Sequence, residues 1–298
     1  MLPAIALQPT AAFSSVQKYI PKAVHKDWTK VGSCYSRGAF RLQGKYPGRA
    51  EIHFLDKKIA DIIWRVAGNS TLLDVGAGSG RYGAYFHKRR MQGELINGSS
   101  PPLWKGVDGS VNVAEFTRRS DAPLGAQTDY LNVCNLTSWR PPSHDYVMSL
   151  EVGEHIPPRC MRHYLSLLHL GNRRGLFLSW AIPGRAGKCH IAARPNVVVI
   201  AAMRLLGYIS VMELADEARN NAQYPWFNES FMVFRRSDVQ LCQGLDEDEE
   251  RLDRAAACIA ADDGARTGGA CECRTAARKG KAKGGGRDSG PWSLALAT

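Results

Sequence analysis

Between residues 50 and 66 the apolar positions Ile52, Leu55, Ile59, Ile62 and Val66 recur at spacings of three and four, which predicts a helix with one buried face. Gly68, Asn69 and Ser70 end it, and the short apolar run 71–75, entering a glycine-rich turn, reads as a buried strand. From there the pattern alternates. Helices are predicted over 81–91, over 111–119 with Val111, Ala114 and Phe116 toward one side, and over 159–170 and 196–206. Strands are predicted over 103–107, 128–133, 146–150 and 175–180, with 208–211 and 231–235 closing around a polar helix over 213–222. Strands alternating with helices imply an α/β fold, a mostly parallel sheet covered on both faces, and the late pair implies an antiparallel strand inside it. Residues 92–102, with two glycines, two serines and two prolines, form a long loop.

The pattern stops after Arg236. Asp246–Glu250 is an acidic run, and 264–290 is rich in Gly, Ala, Lys and Arg with almost no large apolar side chains, too little burial to offset ordering entropy. Three regions follow: a basic extension over 1–49, available as a lid; a folded domain over 50–236; and a largely disordered tail over 237–298, with room for a short helix near 249–260. The whole chain of 298 residues, 44% apolar and 22% charged, has the balance of a globular protein. Its longest apolar stretch, residues 197–203, stops at Arg204, far short of the roughly 20 residues a membrane-spanning helix needs.

The net charge of +11 is concentrated at the front, where residues 1–70 hold 11 basic and 4 acidic side chains. Those charges are scattered from Lys18 to Lys45 without a dense block, which favours a solvated face over a nucleic-acid or membrane surface. Ala, Ser and Lys ahead of Asp27 give a weak organelle-import signal, but the first Arg is Arg37 and no apolar region with a cleavage site follows the start, so the cytoplasm is the expected location. The eight cysteines form no Cys-x-x-Cys pair, so reduced thiols and no metal centre are expected.

Residues 72–83 read Leu-Leu-Asp-Val-Gly-Ala-Gly-Ser-Gly-Arg-Tyr-Gly. Gly76, Gly78 and Gly80 let the backbone turn sharply and lie against a ligand, with the next helix presenting its N-terminus. No Gly-Lys-Ser/Thr ends the run, which excludes a phosphate P-loop; Gly78, Gly80 and Gly83 do fit a dinucleotide pattern. Asp74, two residues before the first glycine, would repel a pyrophosphate and attract a cation such as the sulfonium and ammonium of S-adenosylmethionine. Asp108, in Gly-Val-Asp-Gly-Ser at the end of the second strand, suits the ribose hydroxyls of any adenosine cofactor.

With these residues in place, the sequence resembles the class I S-adenosylmethionine-dependent methyltransferases. Residues 72–80 are similar to that family's first motif, Val107-Asp108-Gly109-Ser110 to its second-strand acidic motif, and 144–157, with Glu151-Val-Gly-Glu154-His155-Ile-Pro, to its fourth-strand segment. The likeness continues through 175–184 and 231–236 and spans about 50–236. It implies a Rossmann-like, doubly wound seven-stranded sheet, with the cofactor across the carboxyl ends of its first half. It also implies Asp74, Gly76, Gly78, Gly80, Asp108 and Glu151 at the cofactor. Asn132 stands where the family often has an acidic residue for the adenine; its amide can accept and donate there, or it can serve as turn chemistry.

Glu154, His155 and His190 are the candidate catalytic groups, His155 first as base because its ordinary pKa of about 6.5 suits the task. Glu151, Glu154 and His155 also have structural readings as capping or backbone-binding groups. Cys189 with His190 as a nucleophile and base is a rival, and Trp180 reads as core. Three function classes stand: methyltransferase, NAD(P)-dependent oxidoreductase, and non-catalytic binding module. Motifs of exocyclic-amine and cytosine methylation are absent, so a small-molecule acceptor ranks above duplex nucleic acid.

Overall fold

The computed structural model describes residues 54–119, 126–136, 142–185, 187, 189–237, 248–261 and 271. All lie in the larger of the chain's two compact units, Leu42–Thr298. The extension over 1–49, the acidic start of the run at Asp246 and the Gly/Ala/Lys-rich stretch lie outside the described residues.

Helix α1, Lys57–Ala67, buries Ile59, Ile62, Ile63 and Val66. It begins later than the apolar spacing predicts because Asp56 caps it. Asp56 Oδ1 accepts the N–H groups of Lys58 at 3.0 Å and Ile59 at 3.1 Å, while Oδ2 accepts those of Gln223 at 2.6 Å and Tyr224 at 3.1 Å. A wholly buried carboxylate is thus satisfied on both oxygens, joining the helix start to a loop 167 residues away.

Seven strands follow: β1 Thr71–Val75, β2 Leu103–Asp108, β3 Thr128–Tyr130, β4 His144–Leu150, β5 Asn172–Ser179, β6 Tyr208–Ser210 and β7 Met232–Arg236. They form one sheet in the order β3-β2-β1-β4-β5-β7-β6. The first five pair in parallel, and β7 runs antiparallel to both β5 and β6. This is the doubly wound, Rossmann-like sheet with an antiparallel closing strand that the alternation and the resemblance imply. The order reverses between β1 and β4, so the crevice expected for a ligand opens at their carboxyl ends.

The remaining helices are α2 Arg81–Met91, α3 Val113–Arg119, α4 Met161–Leu170, α5 Asn196–Leu205, α6 Met212–Asn221, α7 Phe227–Ser230 and α8 Asp248–Ala260. On one sheet face Leu72, Tyr146, Met148, Phe177 and Val233 pack with the buried sides of α1, α2 and α6. On the other, Ser149 of β4 donates to the Val75 carbonyl at 2.7 Å and accepts from the Tyr164 hydroxyl of α4 at 2.7 Å, a buried chain joining β1, β4 and a helix.

Three local expectations change. The strand predicted over 128–133 ends at Tyr130, because the Asn132 side chain caps a short 3-10 turn, Val133–Asn135, through the Cys134 N–H at 2.9 Å. Helix α3 starts at Val113, leaving Val111 exposed and Val113 and Thr117 buried. The short helix expected near 249–260 forms as α8, and what changes is its setting: Leu252, Ala255, Cys258 and Ile259 are buried where it packs on α4 and α5, so this part of the segment read as a largely disordered tail is docked. Average composition hides that stripe, which follows the three-and-four spacing of an amphipathic helix. Arg162 pairs with Glu249 and Asp253, and the Arg194 guanidinium donates to the Ile259 carbonyl.

The cysteines correct a further expectation. Cys134 is bonded to Cys160 and Cys258 to Cys271, Cys189 is also disulfide-bonded, and no described cysteine is a free thiol. No helix among the described residues is long and apolar enough to cross a membrane.

Candidate functional site

The turn from β1 into α2 curls over the end of β2. Gly76, Gly78 and Gly80 take φ values of +85°, +53° and +75°, a region that costs other residues strain. The N–H groups of Gly76 and Ala77 donate to the Val107 carbonyl at 2.8 and 3.0 Å. Gly78 N–H donates to Asp108 Oδ2 at 2.9 Å, and Ser110 N–H to Asp108 Oδ1 at 2.7 Å. Asp108 therefore holds the glycine turn from beneath while each of its oxygens keeps a lone pair.

Asp74 lies just below this turn, 3% exposed, with Oδ2 accepting the Trp104 indole N–H at 3.0 Å. Burial, opposed by that hydrogen bond and reinforced by the charge of Asp108, pushes its pKa up to about 7. Gly83 and Gly106 make room for the indole, since a Cβ on either would stand within 2.4 Å of the ring. Asn132 follows β3, tied to the site by the Leu131 N–H, which donates to the Asp108 carbonyl at 2.8 Å. Asn132 is buried; its Nδ2 has no hydrogen-bond partner of normal geometry, with the Tyr130 hydroxyl alongside.

The opposite rim is built by the segment after β4. A Cβ on Gly76 would lie 2.2 Å from a Val152 methyl, so this segment rests directly on the glycine turn. Glu151 has the unusual φ of +56° and is pinned there: its N–H donates to Ser179 Oγ at 2.8 Å, and its Oε1 accepts from Ser230 Oγ at 3.0 Å. Burial raises its pKa, against those serine hydrogen bonds. Glu154 is completely buried in a 3-10 turn, Gly153–His155, and neither carboxylate oxygen has a hydrogen bond of normal geometry. Its pKa is pushed up to about 8, first by burial and then by the charge of Glu151, with partial relief from the backbone N–H groups of Glu154 and Ala181.

His155 Nε2 is 3.9 Å from Glu154 Oε1, and its Nδ1 is 3.0 Å from the Cys189 carbonyl. A carbonyl only accepts, so Nδ1 carries the proton and Nε2 holds the lone pair on the Glu154 side. The loop after β5 completes the group. Trp180, wholly buried, donates its indole N–H to the Ala192 carbonyl at 2.7 Å, and Ala192 N–H donates to the Glu154 carbonyl at 2.8 Å. That ties His190 beside His155, ring centroids 5.1 Å apart and edge to face. Gly187 leaves room for the His190 ring, since a Cβ there would stand 2.0 Å from it and displace the ring.

The structure thus brings the residues named from the sequence into two adjoining groups. Gly76, Gly78, Gly80, Asp108 and Asn132 line the ends of β1 to β3, with Asp74 beneath and turned to Trp104. Glu151, Glu154, His155 and His190 line the ends of β4 and β5. Trp180 is core, as read. The nucleophile reading of Cys189 fails because its sulfur is in a disulfide. Sequence reasoning missed Trp104, Ser179 and Ser230, which partner Asp74 and Glu151, and the Cys189 carbonyl that sets the His155 tautomer. Only Gly83 and Gly106, two glycines positioned around one tryptophan, carried a trace of the first.

Neither a protein-family model nor a curated protein matches the sequence. Among solved structures, the chain is similar to magnesium protoporphyrin IX methyltransferase of Synechocystis PCC 6803, crystallised with SAH, at 16% identity and TM-score 0.42 over 72% of this chain and 100% of that one. A TehB-like SAM-dependent methyltransferase from Corynebacterium glutamicum shares 15% identity, TM-score 0.40, over 63% of this chain and 89% of that one. Phosphoethanolamine N-methyltransferase 1 of Haemonchus contortus shares 12% identity, TM-score 0.44, over 68% and 46% respectively. By its own strand order, with β7 inserted antiparallel between β5 and β6, this chain has the fold of the class I methyltransferases.

Proposed function

We propose that this chain transfers the methyl group of S-adenosylmethionine to a small-molecule acceptor at the carboxyl ends of β1, β2 and β4. The observation that carries the reading is the Asp108 carboxylate fixed under the glycine turn through Gly78, with spare lone pairs on both oxygens at the place where a ribose would present two hydroxyls. The left-handed glycines bare their backbone beside it, Asn132 offers an unsatisfied amide for an adenine edge, and Asp74 with Glu151 supplies negative charge for the sulfonium and ammonium. A dinucleotide fits less well, since its pyrophosphate would meet Asp74, while Asp108 would serve the ribose of either cofactor.

In this reading the acceptor lone pair attacks the methyl carbon in line, the C–S bond breaks, and its electron pair stays on sulfur as a neutral thioether. Holding the two reactants in line supplies most of the acceleration. An acceptor that carries a proton loses it at the rim of Glu154, His155 and His190, where His155 Nε2 is the acceptor of choice. The aromatic trio of Phe54, Tyr224 and Trp226, with centroids 4.7 to 5.5 Å apart, belongs to the same 223–230 segment that reaches Glu151 through Ser230 and suits a small organic acceptor.

Calorimetric titration with S-adenosylmethionine, S-adenosylhomocysteine and NAD tests the cofactor; binding of the first two and not the third is expected. Tight NAD binding would favour the oxidoreductase. Methyl-labelled cofactor incubated with metabolite extracts tests the transfer, and cofactor binding without any labelled product would favour the non-catalytic module.

A further inference from the structure

We infer that Glu154, His155 and His190 form a binding site for one divalent transition-metal ion, held by a carboxylate oxygen and two imidazole nitrogens beside the proposed methyl-transfer site. One ligand atom from each of the three residues lies within 4.8 Å of the others. A tetrahedron with bonds of about 2.1 Å has edges of roughly 3.4 Å, so modest side-chain rotation closes the set around an ion.

Each member is prepared for that role by a separate feature. Glu154 is completely buried and neither oxygen has a hydrogen bond of normal geometry, an arrangement that is expensive unless a cation or a proton meets it. Among the described residues its ion-pair partner is His155 alone. His155 donates Nδ1–H to the Cys189 carbonyl, the outer hydrogen bond that metal-binding histidines use to aim the other nitrogen. His190 Nδ1 is buried with no hydrogen-bond partner, although polar atoms in such places ordinarily have one. The two rings meet edge to face, so neither covers the other by stacking.

The donor set selects the ion. Two imidazoles and one carboxylate suit Zn²⁺, Co²⁺, Mn²⁺ or Fe²⁺, whereas Mg²⁺ and Ca²⁺ prefer oxygen shells. Three protein ligands leave a coordination position open, as in sites that bind a water or substrate oxygen. The three ligands belong to the rim where the acceptor is proposed to enter, so the inference rests on the methyltransferase reading for its purpose but not for its existence. With the ion bound, Glu154 and His155 act as ligands and the proton-accepting role assigned to His155 lapses.

The test uses tag-free full-length protein stripped with chelator and titrated with Co²⁺ while visible ligand-field bands are followed, then with Zn²⁺ in competition, with bound metal counted by mass spectrometry. One Zn²⁺ per chain is expected, with affinity lowered at least about 100-fold in His190→Ala and Glu154→Gln. Circular dichroism checks that each variant is folded, and His190, partly exposed, serves if Glu154→Gln is not. Stoichiometric binding undiminished in folded His190→Ala, or no stoichiometric binding by the wild type, overturns the site. S-adenosylmethionine titration of the metal-free protein reports the cofactor reading separately, so failure of either is visible alone.

Discussion

The backbone N–H of Gly78 donates to the carboxylate of Asp108 across 30 residues of sequence, at 2.9 Å. One side chain at the end of β2 therefore shapes the turn that ends β1, and the residue proposed to meet the ribose also builds the surface proposed to carry the cofactor.

Replacing Asp108 by Ala removes two charge-assisted hydrogen bonds within the chain along with the proposed ribose contacts. S-adenosylmethionine affinity should fall by about 1.5 to 3 kcal/mol or more, roughly 10- to 150-fold. Calorimetry on the folded variant measures it, and an unchanged dissociation constant would take Asp108 out of the site.

Asp74 makes stability depend on pH in an unusual direction. Its folded pKa of about 7 lies above the ordinary carboxylate value of about 3.9, so the folded state holds the extra proton between those limits. The favourable contribution is fully present below about pH 4 and is lost as the pH rises through 7. Asp74→Asn keeps an acceptor for Trp104 without the buried charge, and should therefore raise Tm relative to wild type most at pH 8.5, less at pH 5.5 and little near pH 4. The same variant should bind S-adenosylmethionine more weakly at pH 8.5. Equal Tm differences at all three pH values would contradict the assignment.

The Cys134–Cys160 disulfide closes a 26-residue separation between the turn after β3 and the start of α4. Crosslinks of that length contribute roughly 3 kcal/mol, so Cys134→Ser with Cys160→Ser should lower Tm by about 6 to 12 °C. Peptide mapping without reduction should recover the pair; two alkylated thiols at these positions would show it unformed.

Ending the chain after Ser237 removes α8 and uncovers the faces of α4 and α5 that Leu252 and Ile259 bury. At about 1.5 to 3 kcal/mol for each large side chain, the loss should exceed roughly 3 kcal/mol and lower Tm by at least about 6 °C. Ending it after Ala261 should cost less, by the Cys258–Cys271 link alone. Scanning calorimetry on the two truncations separates these cases.

The sequence discloses what is local. The glycine turn and Asp108 lie within the 37 consecutive residues 72–108, and each strand and helix of the alternation shows in its own short stretch, where spacing and residue type suffice. Pairings made by the sheet are hidden from it. His155 and His190 meet only because Ala192 N–H reaches the Glu154 carbonyl, and Asp56 finds its second pair of donors at Gln223 and Tyr224. Nothing in spacing announces either. Helix α8 was legible as a short amphipathic run, but the Gly- and Lys-rich sequence beyond it outweighs that stripe in any average.

Between Gly76 and Val152 there is no room for even one more carbon atom. The two positions consequently constitute a single unit of inheritance. Shaving Val152 to alanine or glycine would make space for a side chain at 76, yet the backbone there, at φ +85°, would still refuse one. Drift on the proposed acceptor rim is therefore free to trim Val152, whereas the glycine turn has no corresponding freedom. A lineage that retunes the proposed acceptor would be expected to write its changes at 152 and beyond, leaving 76 untouched.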